Sequence, residues 1–573
     1  MTTTDTTSSG HAAPHLLEAH RDALQQGRDA LASRGYFTRY PESPSPRVYG
    51  ETAAADGLHA FEAHLGSEFS TLGDQPTSGT FAGSEASPYG PLLRVRYPRL
   101  DVDAAIAAAK GAMPVWRDAG ALARAAVCVE IVDAINKRSF EIANAVMHTS
   151  GQPFVMSFQA AGPHAQDRAF ESIIAALVEQ ERVPPSVVWE KPGKDAPIRM
   201  RKDYRIVPRG IALVIGCNTF PTWNSYPGLF ASLATGNPVI VKPHPRAVLP
   251  LAITVEVARK VLRDNGFDSA LVQLAAESDD EGLAKTLAER PEVAIIDYTG
   301  GPRFGDWLES VGAAGGKSVY TEKSGVNSIV VDSTDNLGAL MSNLAFSLSL
   351  YSGQMCTTPQ NIYLPRDGID TDEGHLSFEG FGSTLGGAVT KLTGEDAKAV
   401  EILGAIVNDD VASRAADLPG LADRLGGTVV LDSRKVTHKS YPDAVVRAPG
   451  LIALDVANDA AYTQECFGPV TFLIATDSTG QSLERMRDTS RTQGAMTAAV
   501  YSTSEDVLED AREAAAEGGV ALSENLTGPV FVNQTAAFSD YHGTGANPAA
   551  NVAYVDAAFV ANRFRVVTSR RHI

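Results

Sequence analysis

The sequence predicts two α/β units, each built on a mostly parallel sheet, packed around a cleft and sharing a projecting β-ribbon. Three observations carry this reading. Short apolar runs rich in β-branched residues, at 211–216 (IALVIG), 238–241 (PVIV) and 293–298 (VAIIDY), alternate with helical segments, as in a parallel sheet with crossover helices. The alternation restarts near Asn327 (NSIVVDS) and continues to about Asn533, with no linker long enough to separate independent bodies. The charged, alternating segment 187–205 (VVWEKPGKDAPIRMRKDYR) reads as a two-stranded ribbon leaving the main body.

The elements follow in order. Residues 1–14 are polar and read as disordered. Residues 15–34 repeat at helical spacing, and the Pro/Ser/Tyr-rich stretch after them must be extended or looped. Helical patterns return at 101–118 and over 121–150. The last residues, 562–573 (NRFRVVTSRRHI), alternate and are suited to adding a strand to an existing sheet. The Arg and Lys clustered in both alternating segments read as a solvated, protected sheet edge, with a site for an acidic ligand as the alternative. The implied division is 1–186 for an N-terminal extension and helical part, 187–207 for the ribbon and 208–323 for a Rossmann-type unit. A second α/β unit occupies 324–535, and 536–573 form a C-terminal return.

Composition narrows the function. A formal net charge of −19 argues against nucleic acid as the main partner. No apolar stretch is long enough to span a bilayer, and the N-terminus lacks a signal peptide's basic start and apolar run, so a cytoplasmic protein is expected. Cys128, Cys217, Cys356 and Cys466 are far apart, with no C-x-x-C pair or histidine cluster at zinc spacing. The expectation is a reducing compartment, free thiols and no metal.

Four segments stand out: GCNTFPTWNSYP (216–227) followed by ATGNPVIVKPHP (234–245); DYTGGPRFG (297–305); YTEKSGVNSIVV (320–331); and SGQMCTTPQ (352–360), with ECFGPV (465–470) beyond. A fifth stretch, 312–318 (GAAGGKS), mimics a phosphate-binding loop. It follows a helix and leads into a strand, the reverse of the required context, so it reads as a turn. The order and spacing of the four segments resemble the aldehyde dehydrogenase superfamily over roughly residues 90–560. Glu322 precedes Cys356 by 34 residues, which matches that family's interval. The resemblance implies an aldehyde dehydrogenase-like fold, with a Rossmann-type cofactor domain, an α/β catalytic domain and a ribbon for oligomerisation, giving a homodimer or homotetramer.

The chemistry gives each residue a reason. A planar aldehyde is a poor hydride donor, whereas a tetrahedral oxyanion expels hydride readily. A nucleophile must therefore add first, and a thiolate is the best that a side chain supplies at neutral pH. Cys356, in a turn of small residues, is the candidate. The oxyanion needs a backbone N–H and a side-chain amide. Asn218 lies 24 residues before Lys242, near the family interval of about 23, although Thr219 intervenes before Phe220-Pro221; Asn224, at 18, reads instead as a helix-start or turn residue. Glu322 fits a general base that activates water against the thioester, and Lys323 would lower its pKa if it pointed inward.

For the cofactor, Thr299, Gly300, Gly301 and Gly305 form a turn between strand and helix that suits a pyrophosphate. The resemblance implies Pro221 in the same site, Lys242 on the adenosine ribose, and Glu465 and Phe467 on the nicotinamide ribose and ring. Many NAD-specific relatives carry a glutamate three residues after that lysine, where this chain has Pro245. Losing that carboxylate predicts NADP, with NAD as the alternative, and His244 and Arg246 as phosphate partners.

The N-terminal stretch HRDALQQGRDALASRGYFTRYPESPSPRVYGE resembles, more narrowly, the PaaN-type enzymes of phenylacetic acid degradation. That likeness implies a ring-opened CoA thioester bearing an aldehyde as substrate. The alternatives are a broad-specificity aldehyde dehydrogenase, a CoA-acylating one, and a non-catalytic scaffold.

Overall fold

The computed structural model describes residues 13–279, 281–531 and 536–573. The expected disorder of the first residues falls almost wholly outside that range. The N-terminal helical run is divided into Pro14–Ala19 and Arg21–Ser33 at His20, whose backbone leaves the helical region (φ −106°, ψ 7°) and whose buried imidazole pairs with Glu130 at 2.8 Å. The run 121–150 is likewise two helices, Ala121–Asn136 and Ser139–Ser150, parted at Lys137–Arg138. Val102–Asp118 begins at Asp101, whose carboxylate accepts from the Ala104 N–H and satisfies one of the orphan donors of a helix start.

A five-stranded, all-parallel sheet has the order Val272–Leu274, Val239–Lys242, Ile211–Ile215, Val293–Thr299, Ser318–Glu322. Strand order reverses direction at Ile211–Ile215, so a crevice opens at the carboxyl ends of the central strands, where doubly wound folds place ligands. Helices cover both faces, and Ile211–Ile215 and Val239–Lys242 are buried throughout, which explains their unbroken apolar runs.

The second sheet has seven strands, ordered Thr428–Leu431, Gly450–Asp455, Val470–Thr476, Asn361–Pro365, Ser328–Val331, Thr497–Tyr501, Ala521–Glu524. Only Thr428–Leu431 at one edge runs antiparallel. The molecule is thus a mixed α/β fold.

The ribbon is three-stranded. Ser186–Lys191 and Ile198–Pro208 form the expected hairpin, and the C-terminal strand Phe564–His572 pairs antiparallel with residues 200–208 of that second strand. Arg563, fully buried, fixes the start of that last strand. Its guanidinium makes a two-pronged ion pair with Asp297 at 2.5 and 2.8 Å and stacks on Tyr320 and Phe559. Among the described residues no helix is long and apolar enough to cross a membrane. Of the stretch 312–318, the first four residues end the helix Pro302–Gly315, Gly316 is left-handed and turns the chain, and Ser318 begins the next strand; Lys317 donates to the carbonyls of Ala288 and Arg290.

Candidate active site

Cys356 lies in the loop between the helix Leu337–Ser349 and the strand Asn361–Pro365. Three successive residues before it, Tyr351, Ser352 and Gly353, have positive φ of 55°, 51° and 67°. The two non-glycine residues cost of order 1–3 kcal/mol each and persist because neighbours hold them. The Tyr351 hydroxyl donates to the Ser150 carbonyl, and Ser352 Oγ lies 3.0 Å from the carbonyls of Gly404 and Arg447. A Cβ on Gly353 would lie 2.5 Å from the Gly468 carbonyl oxygen, so only glycine fits.

Two amides missed at the sequence level hold the rest of the loop. Asn327 donates to the carbonyls of Cys356 (2.7 Å) and Thr358 (3.0 Å) while accepting from the Met496 and Thr497 N–H groups. Gln360 donates to the Gln464 carbonyl at 3.0 Å and accepts from the Cys466 N–H at 2.6 Å, which fixes the loop carrying Glu465 and Phe467. Both lie inside motifs quoted above, but their role as clamps follows only from the fold.

Glu322 ends its strand beside the cysteine, buried. Its Oε2 accepts from Asn224 Nδ2 at 3.3 Å and lies 3.2 Å from His542 Nε2, which itself lies 4.0 Å from Cys356 Sγ. Burial raises the pKa of this carboxyl, but the adjacent His542 outweighs it and leaves the group below its usual value. Glu322 Oε1 is buried without a partner, an acceptor position suited to a water. Lys323 turns the other way, pairing with Asp306 (2.8 Å) and Glu309 (3.1 Å), so the basic side chain beside Glu322 is His542 and not Lys323.

Two spaces flank the loop that carries the nucleophile, with Met355 lining both. The larger, about 360 Å³, is walled by Phe37, Phe220, Trp223, Phe346 and Phe531 and reaches Cys356, Asn224 and His542. Its mouth includes the exposed Tyr36 and Glu42, so the N-terminal extension forms part of its wall. The smaller is lined by Glu465, Phe467, Gly325, Asn327 and Thr358 on the other side of the loop.

The structure separates the two asparagines differently from the spacing argument. Asn218 points its amide at the Thr149 carbonyl, 3.0 Å away at the end of Ser139–Ser150, and its own carbonyl accepts from Ser150 Oγ. Asn224, one turn into the helix Pro221–Ala234, is buried and faces the cavity. Asn218 is separated from Phe220 by the added residue Thr219. Asn224 lies in the first turn of Pro221–Ala234, a helix-start residue as its position suggested, with its amide turned to Glu322.

At the carboxyl edge of the five-stranded sheet, Lys242 is buried in an ion pair with Glu277. Thr299 Oγ1 lies 3.2 Å from the Tyr554 hydroxyl. Gly300 gives its N–H to the Glu322 carbonyl at 3.0 Å, Gly301 caps Pro302–Gly315, and a Cβ on Gly305 would meet Lys323 at 2.7 Å. Pro221 occupies the first helical position, where a missing N–H costs nothing. His244 is half-buried, held down to about 4 by burial, Lys242 and Arg246. All four cysteines are free thiols. The sequence showed no metal-ligand spacing, yet folding brings Glu322, Cys356 and His542 within 4.8 Å of one another, donor atoms of the types that bind zinc.

The match that decides the family is to the sequence model of the Aldehyde dehydrogenase family, which covers residues 95–554. The chain belongs to that family. It is an aldehyde dehydrogenase with the family's α/β fold. A crystal structure described as an NAD-dependent aldehyde dehydrogenase from Burkholderia multivorans is 56% identical, with a TM-score of 0.94, covering 97% of this chain and 99% of that one. N-succinylglutamate 5-semialdehyde dehydrogenase of Burkholderia ambifaria is 23% identical over 68% of this chain and 74% of its own length. The human mitochondrial methylmalonate-semialdehyde/malonate-semialdehyde dehydrogenase [acylating] is 22% identical, over 67% of this chain and 68% of its own.

Proposed function

We propose that this aldehyde dehydrogenase oxidises a bulky apolar aldehyde to its carboxylic acid through a thioester on Cys356 that water resolves. The observation that carries the reading is the buried Glu322 beside Cys356, with one carboxylate oxygen left unpartnered. An enzyme that hands its acyl group to CoA has no need of a base so placed. Cys356 attacks, the oxyanion is held by the Cys356 N–H and a side-chain amide, hydride leaves for the nicotinamide, and Glu322 deprotonates the water. The aromatic walls and open mouth of the cavity support a substrate whose reactive end is a hydrocarbon chain. The ring-opened CoA semialdehyde of phenylacetate degradation meets that description if its CoA stays outside the mouth, and the PaaN-like N-terminal stretch supports it. The test is reduced-nicotinamide absorbance with a medium-chain aldehyde, an aromatic aldehyde and the CoA semialdehyde, each with and without free CoA. Reduction that does not need free CoA, with acid as product, is expected; reduction only with CoA would replace this reading by the acylating one.

For the amide donor we assign Asn224 in place of Asn218. Asn224→Ala is expected to lower kcat by about 10²–10³-fold, the usual effect of losing an oxyanion donor. Asn218→Ala should act mainly on stability, through the Thr149 contact. Equal kinetic losses in the two variants would return the role to Asn218.

We propose NAD as the cofactor, held by Lys242, the 299–305 turn, Glu465 and Phe467. Pro245 alone pointed to NADP, but Glu277 returns a carboxylate to Lys242 from the neighbouring strand end. A carboxylate there accepts from a ribose hydroxyl and repels a 2′-phosphate. Glu277→Gln is expected to raise the NADP-to-NAD ratio of kcat/KM by about tenfold, or ~1.4 kcal/mol. An unchanged ratio would place the 2′ position elsewhere. Exposed Val188, Ile198, Val566 and Val567 on the ribbon support assembly of homodimers or homotetramers through that element.

A further inference from the structure

Cys356 faces an electrostatic difficulty that Glu322 makes worse. Burial and the neighbouring carboxylate both push its thiol well above the ordinary range, yet the reaction begins with a thiolate. We propose that His542 is a catalytic residue of this enzyme, taking the Cys356 proton and standing as an imidazolium between the thiolate and the Glu322 carboxylate.

The geometry supplies the observations. His542 is 3% exposed and presents one nitrogen, Nε2, to both partners, 4.0 Å from Sγ and 3.2 Å from Oε2. The ring is clamped. Trp223 meets it edge-on at a centroid distance of 4.5 Å, Tyr554 lies 5.6 Å away on the other side, and the His542 carbonyl accepts from the Tyr554 N–H at 3.1 Å. A histidine placed only to fill space would not aim a nitrogen at a carboxylate and a nucleophile together. The other ionisable groups around it do not supply the missing positive charge. Tyr554 is a buried phenol pushed upward by burial, and Cys217 is a thiol pushed up to about 11 by burial. Arg168, behind Trp223, is committed to Glu171 at 2.8 Å and to the Asp540 carbonyl, while the Asp540 carboxylate accepts from the Ala536 N–H.

The proton inventory closes. The S–H bond of Cys356 breaks, its proton binds His542 Nε2, and the thiolate lone pair forms the C–S bond to the aldehyde carbon. Hydride then passes to the nicotinamide and leaves the thioester. Water attacks, one proton goes to Glu322, and the C–S bond breaks to release the acid and restore the thiolate–imidazolium pair; the proton on Glu322 then leaves to solvent, which restores the carboxylate. Glu322 keeps its role as base for water, and His542 acts on the first half of the cycle.

This inference rests on Cys356 being the nucleophile but not on any particular aldehyde, and its test needs neither aldehyde nor cofactor. The rate of iodoacetamide alkylation at Cys356, followed by mass spectrometry of its peptide, is measured from pH 5.5 to 9.5 in wild type, His542→Gln and His542→Asn. Wild type is expected to react with an inflection well below the free-thiol value of about 8.5. The variants should be slower by roughly tenfold or more at pH 6.5 and approach wild type at pH 9.5. Superimposable profiles would overturn the proposal. Should neither variant fold, a wild-type profile with its only inflection at or above the free-thiol value overturns it equally. A His542-dependent profile in an enzyme that oxidises none of the aldehydes would leave the relay standing and remove the substrate reading alone.

Discussion

Replacing Cys356 with alanine is expected to abolish aldehyde-dependent reduction of the nicotinamide, a loss on the order of 10⁶-fold, the scale on which removing a covalent nucleophile acts. Alanine leaves the cavity and cofactor residues in place but removes the atom that turns the aldehyde into a hydride donor. The companion variant sharpens the result. Glu322→Gln keeps the nucleophile, so one equivalent of reduced cofactor per site should appear before turnover stalls, with steady-state kcat down by about 10²–10⁴-fold. Stopped-flow absorbance separates the two: no burst for the first, a full burst for the second. Steady turnover in Cys356→Ala, carried by the half-buried Cys217 or by direct hydration of the aldehyde, would remove the thioester from the mechanism.

The second large effect concerns stability. Arg563→Met is expected to cost about 3–5 kcal/mol, because it strands the Asp297 carboxylate inside the five-stranded sheet without a partner. The lost stacking on Tyr320 and Phe559 adds to the deficit. Urea unfolding followed by tryptophan fluorescence reads this directly. The double variant Asp297→Leu/Arg563→Met should recover most of the loss, since the desolvation of both charges disappears together. Little recovery would mean that packing around Gly228, whose added Cβ would sit 2.4 Å from Asp297, dominates the site.

What was legible in the sequence divides along physical lines. The parallel strands could be read because burial on both faces demands unbroken β-branched runs, as in Ile211–Ile215. Cys356 and Glu322 could be read because each sits in a short segment whose neighbours serve the same local turn. The choice between Asn218 and Asn224 could not be read, because spacing along the chain does not report which way a side chain leaves a turn: Asn218 faces the Thr149 carbonyl and Asn224 lines the cavity. His542 was invisible because its meaning depends on Trp223, Tyr554 and Glu322, which only the folded chain brings together. Glu277 is the same case. Its carboxylate arrives beside Lys242 from the segment after Val272–Leu274, a juxtaposition that has no trace in local spacing. The clustered charges of 562–573 were read as edge protection, and the strand they form does cover an edge, by pairing with Ile198–Pro208.

That pairing has a consequence for biosynthesis. Ile198–Pro208 leaves the ribosome long before Phe564–His572, so one side of it stays an unpaired backbone edge while both α/β units are being made. The nascent chain therefore carries an open template for wrong partners, flanked by the apolar side chains of Val187 and Val188, until its final strand arrives with Arg563 seating at Asp297. Slow translation or a crowded polysome should raise aggregate yield through this one edge.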